Sequence, residues 1–253
     1  MSGSSLDGLD VCYSRIDVNN DKYSYEILEA ETYPIPSYLL KELRICSQLN
    51  NTQLNILDTN LGVWFGNTCK HFIKTFSISS LNFICSHGHT VCHFPEKGIT
   101  KQIGSAKEIT NITGIQTISD LRQKDIDMGG SGAPIVPIGD ILFFRNYPFC
   151  LNLGGIMNVS IKSKKNIYSF DIGSCNQVIN HFASLLGHAY DNEGMLAKRG
   201  NFNKYLFDEI NSLSFFSLPF PYVLCCLGKI FHFKHSNLDH IIPYRNINKN
   251  NTV

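Results

Sequence analysis

The chain has 253 residues, a formal net charge of +1, 43% hydrophobic and 17% charged residues, which is the composition of a chain with a folded core, not of a disordered or fibrous one. A near-neutral balance leaves no electrostatic footprint for nucleic acid or an anionic membrane surface. No apolar run reaches the ~20 residues of a membrane span: the best candidate, Leu218 to Phe233, is broken by Pro219, Pro221, Lys229 and His232, and Met1 to Asp7 has neither the basic nor the apolar region of a secretory signal.

In chain order, Val11–Ile16 and Tyr23–Glu31 are predicted strands joined by the turn-rich stretch Asp17–Lys22. Two helical patterns follow. In the second, Leu54, Leu57, Leu61, Trp64, Phe65, Cys69 and Phe72 recur at spacings of three and four, the period of one helix face. After Leu81 the texture changes to short apolar runs between glycine and polar clusters. Strands are predicted at Phe83–Ser86, Thr117–Ser119, Phe149–Leu153, Met157–Ile161 and Ile167–Phe170, and helices at Ser105–Ile112, Ile138–Phe144, Gln177–Leu186 and Asn203–Leu213. Hairpins mixed with crossover helices predict an α/β fold with a mixed sheet. The nine cysteines, at 12, 46, 69, 85, 92, 150, 175, 225 and 226, are odd in number, lie mostly in apolar segments and form no CxxC pair. Buried reduced thiols are expected rather than disulfides or zinc ligands.

Five segments can carry chemistry. Gly3-Ser4-Ser5-Leu6-Asp7-Gly8-Leu9-Asp10 precedes a strand. Its glycines admit a close anion and its hydroxyls and amides donate to phosphate oxygens, with Asp7 or Asp10 placed for a metal ion or water; the same residues also suit a plain turn. Ser86 to Glu96 holds His87, His89 and His93. On a strand these would share one face, as zinc requires, but no HExxH helix accompanies them, and hydrogen-bonded histidines lining a polar cleft are the favoured reading. Ser119 to Pro134 runs from a strand through a charged stretch to a glycine cluster, after which Pro134 can open a helix. Arg122 there suits bidentate capture of a carboxylate or phosphate. Leu151 to Asn158 is a strand, the pair Gly154-Gly155 and a second strand, hence a tight hairpin whose glycines can face a second phosphate. Phe170 to Asn176 leaves a strand and starts a helix with Asn176 as N-cap. Asp171, at a strand's carboxyl end, sits where α/β folds place a catalytic carboxylate.

In this order the five segments, with Gln102-Ile103-Gly104, Thr113-Gly114-Ile115 and Tyr190–Gly194, resemble the anhydro-N-acetylmuramic acid kinases, whose pattern runs GTSxDGxD, SHGHTVxHxP, QIG, TGI, SDFRxxDxxxGGxGAPLVP, LNLGGxxN, DxGxxN and YDxxG. The resemblance runs from Met1 to about Pro221. It implies a two-lobed sugar kinase of the actin/hexokinase/heat-shock-70 superfamily, with ribonuclease-H-like sheets and ATP and sugar meeting between the lobes. The implied division is an N-terminal lobe at 1–118 with the phosphate loop, a partial C-terminal lobe at 119–221 with the catalytic aspartate, and a divergent tail at 222–253.

The implied reaction hydrolyses the 1,6-anhydro bridge of 1,6-anhydro-N-acetylmuramic acid and phosphorylates O6, in the cell-wall recycling of a bacterial cytoplasm. By the resemblance, Asp171 is the base. Gly3 to Asp10, with Gly154, Gly155 and Asn158, meets ATP, and Arg122, His89 and Gly132 meet the sugar. Mg²⁺ is implied by ATP alone, no protein metal site is implied, and a homodimer is the family's common state. Ser4 replaces the family's usual threonine, and Gly173-Ser174-Cys175 replaces its TGPG-type turn. The apolar residues that usually precede the first motif are absent, and Tyr222 to Phe231 matches nothing in the family, as after a frameshift. Two further readings stand beside an active kinase: a non-catalytic remnant that keeps some sugar binding, and a metal-dependent hydrolase using the histidines.

Overall fold

The structure is a computed structural model that describes residues 2–3, 6, 8–20, 22–94, 97–130, 132, 135–163 and 167–217. Within these residues there are nine strands and eight α-helices, in mixed order along the chain. The mixed α/β class is as expected. The single mixed sheet is not, because the strands divide among four small sheets, one a parallel pair and the others antiparallel.

β1 (Leu9–Asn19) and β2 (Lys22–Tyr33) form a long antiparallel hairpin with a bulge at Tyr13/Ser14. Asn20 turns the chain at φ +48°, a left-handed conformation that asparagine tolerates better than most residues. Only the hairpin's base enters the core. Its outer half exposes Ile16, Val18, Tyr23 and Ile27, and Tyr25 packs edge-on to Phe143 at 4.9 Å.

α1 (Ser37–Arg44) buries Leu39 and Leu43. α2 (Asn51–Thr75) starts with a reciprocal cap, the Asn50 side chain accepting from Gln53 N and the Gln53 side chain accepting from Asn50 N. It buries Leu57, Leu61, Phe65 and Phe72, four of the seven residues that carried the helical period. Two glycines on this face let α3 (Ala106–Thr113) approach. A Cβ on Gly62 would lie 2.7 Å from Ser105 O, and one on Gly66 would lie 3.0 Å from Ile112. Leu9, Leu39, Leu43, Cys46, Leu57, Leu61, Phe65, Ile103 and Ile109 form one contiguous core.

β3 (Ile84–Cys85) and β6 (Thr117–Ile118) are parallel neighbours, and β4 (His89–Phe94) pairs antiparallel with β5 (Ile99–Ile103) across a bulge at Thr90/Cys92. A cleft of about 690 Å³ separates β1 from the Ser80–Ser86 stretch, floored by Phe65, Cys69 and Phe72 and crossed by the Tyr13 hydroxyl donating to Ser80 O.

The charged stretch after Ser119 is helical, α4 (Leu121–Asp127). α5 (Val136–Phe143) opens at Val136 with Pro137 in its first turn; Pro134, the expected helix-opening proline, lies outside the described residues. β7 (Phe149–Leu153), β8 (Ile156–Lys162) and β9 (Ile167–Ser174) make an antiparallel meander, followed by α6 (Asn176–Leu185), α7 (Met195–Arg199) and α8 (Lys204–Asn211). Lys162 joins β8 to α5 by donating to Asp140 O (2.9 Å) and Phe144 O (2.6 Å), carbonyls at the helix's end.

All seven described cysteines are free thiols. Burial holds for Cys46, whereas Cys12 and Cys85 are exposed. Among the described residues no helix is long and apolar enough to cross a membrane.

Candidate functional site

The first group of site residues forms around two parallel strands. Because β3 and β6 run side by side, the loops leaving their carboxyl ends meet, and residues 35 apart in sequence touch. Arg122, in the first turn of α4, donates from Nε to His87 Nε2 (2.9 Å) and from Nη1 to Gly132 O (2.7 Å). Asp125, one turn further on, accepts from Gly132 N at Oδ2 (2.7 Å) and from Gly130 N at its carbonyl (2.8 Å). The glycine loop is therefore held against α4. Gly132 is buried at φ +66°, and a Cβ there would lie 2.8 Å from Arg122 O, so only glycine fits. The expected bidentate capture is narrowed by this geometry. Nε is committed to His87, so a bidentate capture that uses Nε is closed.

The three histidines do not share one face. His87 lies before β4, and its ring faces Arg122. His89 is 4% exposed, with Nδ1 3.4 Å from the buried Ser2 hydroxyl. His93 Nδ1 is 3.1 Å from Thr100 Oγ1. Three rings turned to three partners correct the one-face expectation; the bulge at Thr90/Cys92 also breaks the two-residue alternation on which it rested. Among the described residues no group of three or more His, Cys, Asp or Glu could hold a metal ion. Burial and the Arg122 guanidinium hold the His87 imidazole below its ordinary pKa, and burial and His87 do the same for His89. Both rings are neutral near pH 7.

The opening loop is closed at its ends by the antiparallel bridge Ser2↔Leu9. Within it Leu6 N donates to Gly3 O (3.2 Å), with Leu6 at φ +55°. Gly8 is buried against β2: a Cβ would lie 2.5 Å from Thr32 Cγ2 and 3.0 Å from Tyr33 O. Its close approach is to a strand. Asp10 Oδ1 accepts from the Thr32 hydroxyl (2.7 Å). Ser4, Ser5 and Asp7 lie outside the described residues.

The second group sits on the β7–β9 meander. Asn158 and Asp171, from separate motifs, are cross-strand partners in β8 and β9, beside a bulge at Met157/Asn158. Asp171 is inside β9, which continues to Ser174, rather than at its carboxyl end. The Gly154-Gly155 turn meets the start of α6. Gly154 O accepts from Asn176 N (3.0 Å), and Gly155 O accepts from Cys175 N (3.0 Å) and Gln177 N (3.2 Å). The N-cap is Cys175 rather than Asn176. Asn176 is the first helical residue, its Nδ2 donating to Leu153 O (3.0 Å), and the carbonyls of the glycine turn satisfy the helix's first N–H groups in place of a capping side chain.

The sequence did not single out Asp58, whose Oδ1 accepts from Gly104 N (2.7 Å) and whose carbonyl accepts from Ser105 N (3.1 Å), fixing the start of α3 on α2. Nor did it assign Asp125 or the His87–Arg122 bond, for which only the alternation of charges between Asp120 and Asp127 gave a signal.

The elements around these residues are those of a mixed α/β protein. The chain belongs to the anhydro-N-acetylmuramic acid kinase family, whose profile matches residues 1–239, beyond Pro221 where the motifs end. It is similar to the anhydro-N-acetylmuramic acid kinases of Shewanella loihica (36% identical over 234 residues, 87% of this chain and 62% of the relative) and Haemophilus influenzae (35% over 233 residues, 87% and 60%). The Bacillus cereus enzyme of the same name is 33% identical over 218 residues, 79% of this chain and 57% of the relative. The chain thus spans about three fifths of the length of these curated relatives.

Proposed function

We propose that this chain is the part of an ATP-dependent kinase that hydrolyses the 1,6-anhydro bridge of 1,6-anhydro-N-acetylmuramic acid and phosphorylates O6, giving N-acetylmuramic acid 6-phosphate. The fold proposed with it is actin-like, with one lobe at 1–118 and part of a second at 119–221; the tail proposed at 222–253 lies outside the described residues. The setting such a reaction implies is cell-wall recycling in the cytoplasm.

Asp171 removes a proton from water as the water attacks C1. The C1–O6 bond breaks, O6 takes the γ-phosphoryl group, and ADP leaves. Gly3 to Asp10 with Gly154, Gly155 and Asn158 receives the phosphates, and Arg122, His89 and Gly132 meet the sugar, with Arg122 holding the lactyl carboxylate. The residues fit a phosphate chemically: two glycine-bearing turns offer backbone N–H groups without side-chain bulk. Mg²⁺, when bound with the nucleotide, would supply charge neutralisation, and Asp10, the described carboxylate of that loop, is the residue that would help to hold it. The observation that supports the reading is the register Asn158↔Asp171, in which residues from two separate motifs are cross-strand partners.

Incubating the chain with ATP and the anhydro sugar, with mass-spectrometric detection of N-acetylmuramic acid 6-phosphate, tests this. Product from the natural sequence and an Asp171→Asn rate about 10²- to 10⁴-fold lower are expected, the usual worth of a general base. Equal rates for the two would sink the assignment.

A further inference from the structure

Two partners of fixed polarity define the tautomer of His87. Its Nδ1 lies 3.2 Å from the Gly88 carbonyl, which can only accept, so Nδ1 carries the proton. Its Nε2 faces Arg122 Nε, which can only donate, at 2.9 Å, so Nε2 carries the lone pair. An imidazolium would turn N–H against N–H and set two cations 2.9 Å apart, and the bond would be lost.

Arg122 is fixed on both flanks by acceptors from different loops, His87 after β3 and Gly132 O after α4. A planar guanidinium with two such anchors has one orientation. The ring is therefore the element that sets the guanidinium plane and joins the β3–β4 loop to the glycine loop.

We infer that His87 is a positioning residue: as the neutral Nδ1–H tautomer it aims the Nη end of Arg122 at an incoming carboxylate, and its protonation releases that aim. This rests on the proposed role of Arg122 in holding the sugar's carboxylate. Besides Arg122 on α4, the titratable groups around His87 are His89 on β4, Asp58 on α2, Lys101 on β5, Lys107 on α3 and Asp120 at the start of α4, most of them lining a polar pocket of about 250 Å³. Two lysines offset two aspartates, Arg122 and the chain's amino terminus add positive charge, and burial first and Arg122 next keep the His87 pKa below 6.5. Sugar affinity is thus complete above about pH 6.5 and falls as the pH drops through the His87 pKa.

Two measurements on the full chain decide this. Imidazole ¹⁵N spectra at pH 7.5 are expected to show His87 protonated at Nδ1 and bare at Nε2, with an Arg122 Nε–H resonance protected from exchange until His87 titrates. An Nε2–H tautomer, or an Arg122 resonance indifferent to His87, overturns the inference. In calorimetry with the anhydro sugar, His87→Leu is expected to bind about 10- to 100-fold more weakly, the worth of a hydrogen bond to a charged group. His87→Gln, with an acceptor and a donor, is expected within about 3-fold, and neither variant keeps the acid-side loss of affinity. A His87→Leu chain that melts like the natural one and binds equally well refutes the role. If the natural chain binds no sugar, the proposed function fails, and the spectra alone decide His87.

Discussion

Replacing Gly104 by alanine probes how the β5–α3 junction is locked into the core. Gly104 sits at φ +111°, and a Cβ there would lie 2.6 Å from Cε2 and 3.0 Å from Cδ2 of Phe65, which is 2% exposed. The backbone conformation alone costs a side-chain-bearing residue about 1–2 kcal/mol. Overpacking a closed core adds about 1–3 kcal/mol. Phe65 has little room to yield, because it shares the core with Leu61 and Ile109. The junction also cannot retreat without losing the Gly104 N–H bond to Asp58. The expected loss is about 3 kcal/mol, against a total of roughly 5–15 kcal/mol for a domain. In urea, with a slope of about 2–3 kcal/mol/M, the midpoint should fall by about 1–1.5 M. The double variant Gly104→Ala/Phe65→Leu should recover about 1 kcal/mol relative to additivity, since the smaller side chain removes the clash but not the backbone term. A Gly104→Ala loss below about 1 kcal/mol, or strict additivity in the cycle, would refute the account.

Both His87 and His89 have pKa values depressed in the fold, so below pH 6.5 the unfolded chain binds more protons than the folded one. Stability should be complete above about pH 6.5 and decline as the pH falls towards the folded values, read by urea midpoints between pH 8 and 5. Asn50→Ala removes the side-chain acceptor that caps α2 and should cost about 1 kcal/mol, without altering the urea slope. Arg122→Lys keeps the charge but cannot reach both His87 and Gly132 O; it should weaken sugar binding nearly as much as Arg122→Ala, as calorimetry would show.

The legible elements were those whose signal is local and periodic. The β1–β2 hairpin announced itself through its turn residues, α2 through its stripe from Leu54 to Phe72, and β7 through Phe149–Leu153. α4 was hidden because Leu121 and Ile126 alone give no apolar face, and Asp120, at φ +59°, makes no side-chain cap. The β4–β5 hairpin was hidden by its bulge, which interrupts the alternation. The N-cap of α6 was misplaced because the groups that satisfy it are carbonyls more than twenty residues upstream, in another hairpin. The pairing of His87 with Arg122 is equally non-local, since it exists only because β3 and β6 lie side by side. The motifs marked candidate residues, and the sheet registers decided which of them touch.

The grip of α6 on the Gly154-Gly155 turn has a mechanical consequence. In a trans peptide the carbonyl and the following N–H point in opposite directions. Drawing the Gly154 carbonyl onto Asn176 N therefore rotates the Gly155 N–H outward, away from the helix. The direction of that amide is thus fixed by the three bonds that the start of α6 makes to the carbonyls of the turn.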